Sequence, residues 1–90
     1  MIINIEVMKL IIKVLGSGCM KCKKLESLTN EVIAENNFNA EVIKVEDIVQ
    51  IMKYNIFSTP ALVINEKVAS KGYIPGKEEI KRLIENAINN

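Results

Sequence analysis

Ninety residues provide for one domain with a single core, and two cysteines without a histidine mean that a tetrahedral zinc site would need acid ligands or a second subunit. The formal net charge is +1, acids and bases interleave and aromatics are few, which excludes a nucleic-acid surface or a polybasic membrane surface. The apolar start is interrupted by Asn4, Glu6, Lys9 and Lys13, has no basic leader and precedes no small-residue cleavage site, so neither a signal peptide nor a membrane span is expected. The expected compartment is the reducing cytoplasm. A lone cysteine pair there is read as catalytic or metal-binding rather than as a structural staple.

In chain order, residues Met1 to Val7 either extend the first strand or form a frayed tail, with Met8 as an alternative start. Met8 to Leu15 is an apolar run expected to be a central strand covered on both faces, Leu10, Ile12 and Val14 on one and Lys9, Ile11, Lys13 and Leu15 on the other. Gly16-Ser17-Gly18-Cys19-Met20-Lys21-Cys22 follows. From Met20 to Asn36, Leu25, Leu28, Val32 and Ile33 recur at helical spacing, and Asn36 and Asn37 suit a helix end. Ala40 to Val45 is a second strand, parallel to the first through a right-handed crossover. Asp47 caps a short helix over Ile48 to Tyr54 with Ile48, Ile51 and Met52 inward, ended at Asn55; Phe38, Met52 and Phe57 read as core. Ala61 to Ile64 and Lys67 to Lys71 form a hairpin around Asn65-Glu66. Gly72 to Gly76 is a turn, and Lys77 to Ile88 a last helix with Ile80, Leu83, Ile84, Ala87 and Ile88 inward.

The cysteines carry the chemistry. A Cys-x-x-Cys where a strand passes into a helix points its first thiol, Cys19, at the positive end of the helix dipole. Lys21, Lys23 and Lys24 follow with no acid before Glu26, so the side chains add to that field and both effects lower the thiol pKa. Cys22, one turn further in, is expected to be shielded, which suits a resolving thiol. Lys23 and Lys24 also read as a solvated helix face, whereas Lys21 lies inside the motif. Met20 is either a contact for apolar substrate surface or helix filler. The alternative function is metal binding or transfer through the same pair.

Gly16-x-Gly18-Cys19-x-x-Cys22-x-x-Leu25, Asp47-Ile48, Ser58-Thr59-Pro60-Ala61-Leu62-Val63 and Glu79-Ile80 together resemble the thioredoxin-like family, and within it the small redox-active disulfide proteins of archaea and bacteria. The resemblance spans about Met8 to Ile88 and implies an α/β thioredoxin-like fold: a four-stranded mixed sheet in the order β-α-β-α-β-β-α, flanked by three helices, as one domain over residues 1–90. It implies a thiol–disulfide oxidoreductase without a cofactor or bound metal, monomeric, acting on protein or small-molecule disulfides and served by a flavin disulfide reductase. It makes Cys19 the nucleophile, Cys22 the resolving thiol and Pro60 a cis-proline beside them. Thr59 then presents its backbone to substrate, and Gly72 and Tyr73 border the active face, with core packing an equal reading for Tyr73. Met20-Lys21 replaces the Gly-Pro of thioredoxins, and Gly18 stands where they carry a tryptophan. The position at which thioredoxins bury an acid holds Lys13, for which Glu46 is the expected partner in an ion pair beneath the cysteines.

Overall fold

Alternation along Leu10–Leu15 (β1) builds the centre of the molecule: Leu10, Ile12 and Val14 are buried on one face and Leu15 on the other. The computed structural model describes residues 9–17 and 20–89, so the Met1 to Val7 tail, Gly18 and Cys19 lie outside the described residues. The remaining elements are α1 (Met20–Asn36), β2 (Ala40–Val45), α2 (Ile48–Met52), β3 (Ala61–Ile64), β4 (Lys67–Lys71) and α3 (Lys77–Asn89). The sheet order is β2-β1-β3-β4, with β1 parallel to β2 and β3 antiparallel to both β1 and β4. This is the expected four-stranded mixed sheet with three helices. Asn65 and Glu66 both adopt positive φ, the backbone that lets a two-residue hairpin turn follow the strand twist.

The two sheet faces carry separate cores. Leu25 and Val32 of α1 and Ile80 and Ile84 of α3 cover Leu10, Ile12, Val14, Leu62 and Ile64. On the other face Ile51 and Ile56 cover Leu15, Ala61 and Val63. Among the described residues, no helix is long and apolar enough to cross a membrane.

Several expectations are corrected here. The strand starts at Leu10 rather than Met8, since Lys9 lies outside it. The short helix ends at Met52, and Lys53, Tyr54 and Asn55 close it with three-residue hydrogen bonds to the carbonyls of Gln50, Ile51 and Met52. Of its three supposedly inward residues only Ile51 is buried; Ile48 and Met52 are 62% and 51% exposed, because five residues offer only one side chain fully to the sheet. Phe57, in the loop between α2 and β3, is 82% exposed, and its neighbour Ile56 takes the buried position instead. Phe38 packs against the core, as expected, and Ile88 is half exposed near the end of α3.

Lys13 does not pair with Glu46. Its register partners are Ile43 and Val63, whereas Glu46 lies past the end of β2, where Lys44 holds its carboxylate at 3.2 Å. The Lys13 side chain runs the other way, to the β3–β4 turn, and its Nζ donates to Glu66 Oε2 at 2.8 Å and to Tyr54 Oη at 2.8 Å. Tyr54 Oη donates in turn to Glu66 Oε1 at 2.8 Å, which closes a triangle between β1, the hairpin and the chain after α2. Hydrogen bonds from Lys13 and then Tyr54 hold the Glu66 carboxyl below its ordinary value, while hydrogen bonds to Glu66 and then Tyr54 raise Lys13 above its own. A lowered acid stabilises the fold above its unfolded value and loses that contribution as pH falls through the folded one; a raised lysine does so below its unfolded value. The pair therefore contributes between about pH 4.3 and about pH 10.4. Glu66→Gln is expected to lower the urea midpoint modestly at neutral pH, and the gap from the parent should close as the pH falls below that window; a gap that persists in acid would show that packing, not charge, is lost.

Candidate functional site

The site forms where β1 ends. Gly16 N donates to the Val45 carbonyl at 2.9 Å, which carries the chain off the strand beside β2. Four residues on, α1 starts at Met20, and its first turn carries Lys21 and Lys23 and no acid, so the dipole and the side chains make this helix end electropositive. Cys22 is 1% exposed, and its thiol lies over the strand end, 4.0 Å from the Leu15 carbonyl to which it donates.

The loop before β3 comes to the same end of the sheet. The Thr59–Pro60 peptide bond is cis and Pro60 is fully buried. The Pro60 carbonyl accepts from Gly72 N at 3.0 Å, and a Cβ at Gly72, whose φ is +84°, would lie 3.3 Å from Ser58 Cβ. Close approach therefore binds the turn after β4 to the proline loop. A Cβ at Gly16 would lie 2.0 Å from Cys22 Sγ and 3.6 Å from Thr59 Cβ, so Gly16, Cys22 and Thr59 meet at one point.

Beside that point runs an open groove of about 290 Å³, lined by Ser17 and Thr59 and by the apolar side chains of Ile48, Met52 and Phe57 among others. All three of these apolar residues are exposed by half or more. Sequence reasoning assigned Met52 and Phe57 to the core because their residue type favours burial, and the adjacent apolar pair Ile56-Phe57 carries no signal of which one faces inward. Gly16 was read as part of the turn and of the motif that carries the family resemblance, and nothing short of the folded structure reveals how near the Cys22 sulfur it lies.

Of the sequence-predicted site residues, the structure brings together Cys22, Thr59, Pro60 and, through the proline carbonyl, Gly72. Met20, 85% exposed, and Lys21 stand at the open start of α1 and do not line the groove. Tyr73 is half exposed and turned to α3, where its hydroxyl donates to Glu79 Oε2 at 2.5 Å; that bond raises the phenol above its ordinary value. Cys19 lies outside the described residues.

The thioredoxin domain family model matches residues 10–85. The thioredoxin of Methanocaldococcus jannaschii is 32% identical over 71 residues, covering 79% of this chain and 81% of that protein. The thioredoxin of Methanothermobacter thermautotrophicus is 30% identical over 73 residues, covering 81% and 95%. Among solved structures, thioredoxin-2 of the malaria parasite, a component of its protein secretion machinery, superposes with a TM-score of 0.66 at 14% identity over 87% of this chain and 82% of that one. The chain belongs to the thioredoxin family of thiol–disulfide oxidoreductases.

Proposed function

We propose that residues 1–90 form one small, monomeric cytoplasmic domain that exchanges electrons with protein disulfides through Cys19 and Cys22, and that a flavin disulfide reductase regenerates it. The observation that carries this reading is the buried Cys22 thiol meeting Gly16 and Thr59 at one point, with Thr59 also lining an apolar groove. A thiolate at Cys19, favoured by the electropositive start of α1, attacks one sulfur of the substrate disulfide. The first substrate thiolate departs with the electron pair and takes a proton from water. Cys22 then loses its proton and attacks the Cys19 sulfur, the bond from Cys19 to substrate breaks, and the second substrate thiolate leaves. The substrate gains two electrons and the cysteine pair becomes a disulfide.

The groove favours an extended substrate segment with an apolar side chain next to its cysteine. Thr59 would offer backbone hydrogen bonds to that segment, with Met20, Lys21, Gly72 and Tyr73 at its margins. The test is reduction of an insulin-type protein disulfide with dithiothreitol as electron source, then with a flavin disulfide reductase and its nicotinamide. Turnover that disappears in Cys19→Ser is the expected result. Absence of turnover together with stoichiometric metal on the purified reduced protein would overturn the reading in favour of a metal carrier.

A further inference from the structure

The geometry points to Gly16 as the positioning residue of the second half-reaction: it is the seat on which the Cys22 sulfur rests while it resolves the mixed disulfide. The inference rests on the proposed redox pair. Cys22 Sγ occupies the space a side chain at Gly16 would fill, 2.0 Å from where its Cβ would stand, and Cys22 Cβ is 3.3 Å from the same point. Non-bonded heavy atoms settle at about 3.5–4.0 Å, so any Cβ at Gly16 would have to drive the sulfur away by about 1.5 Å. Few directions are open to it. The thiol donates to the Leu15 carbonyl, Cys22 is only 1% exposed, and Thr59 Cβ stands 3.6 Å from the same Cβ position, so the surroundings are already crowded. The backbone supports the arrangement, because Gly16 has a φ of +154° and is pinned to Val45 through its N–H.

The consequence is specific to one step. In resolution, the Cys22 thiol gives its proton to water and its electron pair forms a bond to the Cys19 sulfur, while the bond from that sulfur to substrate breaks and its electrons leave on the substrate thiolate. Displacing the incoming sulfur alters the line of this attack. The first step, attack on substrate by Cys19, forms no bond to the Cys22 sulfur.

The reaction of the reduced full chain with 5,5′-dithiobis(2-nitrobenzoate) separates the two steps, since attack releases one thionitrobenzoate and resolution releases a second. In the parent both releases are expected to be fast. In Gly16→Ala the first should stay within about twofold while the second slows on the order of 100-fold, the scale of a misplacement of about 1 Å. A second release within twofold of the parent would overturn the inference. A parent that itself shows no second release would instead overturn the redox-pair reading. Backbone strain is separated from collision by urea unfolding in a cycle with Cys22→Ala, which removes the sulfur. The loss of midpoint caused by Gly16→Ala should shrink markedly in that background. An equal loss with and without the sulfur would show that Gly16 serves the backbone alone and would overturn the seat.

Discussion

Cys22→Ser is expected to convert the protein into a trap that accumulates a stable mixed disulfide with its substrate at close to one per chain, whereas Cys19→Ser should trap nothing and fall to the uncatalysed rate. The asymmetry follows from access. A protein disulfide must bring its sulfur into line with the attacking thiolate, and a thiol that is 1% exposed, with the Leu15 carbonyl on one side and the Thr59 loop on another, offers no such approach. On the proposed assignment Cys19 attacks, and only an intramolecular partner reaches it afterwards. Serine at position 22 keeps the shape of the site and removes the resolving sulfur, so the first covalent intermediate persists. The same variant isolates the attacking thiol for titration. With Lys21 and Lys23 in the first turn of α1 and no acid there, the rate of alkylation by iodoacetamide should rise with a midpoint below about 8.5, the ordinary thiol value. Equal trapping by both variants would reverse the roles. A midpoint at or above the ordinary value would remove the electrostatic account of the nucleophile.

What could be read from the residues and what could not divide along a physical line. Period-two alternation in β1 identified both faces of the central strand, because each side chain's side is dictated by the one before it. The Asn65-Glu66 turn and the Asp47 cap, whose side chain accepts from Val49 N, were equally legible, since turn and cap chemistry acts within a few residues. The errors concern long reach. Lys13 was matched to Glu46 by the proximity of two strand ends, but a lysine spans far enough to reach the other end of the sheet, where both a carboxylate and a phenol wait. Met52 and Phe57 were assigned inward because apolar residues usually are. An apolar side chain is also what a docking surface requires, and composition does not separate the two. The cis geometry at Thr59–Pro60 was implied by resemblance, and its contact with the turn at Gly72 emerged only once β4 was paired with β3.

Leu25→Ala is expected to cost about 2–5 kcal/mol, a large share of the roughly 5–15 kcal/mol that holds a domain folded. Leu25 is fully buried, lies one helical turn beyond Cys22 on the same side of α1, and packs into the core formed with β1, β3 and α3. Its carbonyl accepts from Thr29 Oγ1 at 2.7 Å, and Thr29 is itself fully buried, so this part of α1 has no solvent-facing route by which to relax around a cavity. Truncation therefore removes transfer free energy and leaves a void that the sheet cannot fill. With no tryptophan in the chain, far-ultraviolet circular dichroism in urea is the suitable probe, and the midpoint should fall by roughly 1–3 M with an unchanged slope. Two controls fix the interpretation. Leu25→Met keeps the volume and should cost less than about 1.5 kcal/mol. Phe57→Ala, at an 82% exposed position, should stay within about 0.5 kcal/mol of the parent while weakening capture of apolar substrate segments. A Leu25→Ala loss no larger than that of Phe57→Ala would mean that α1, and with it Cys22, is held to the sheet by something other than this core.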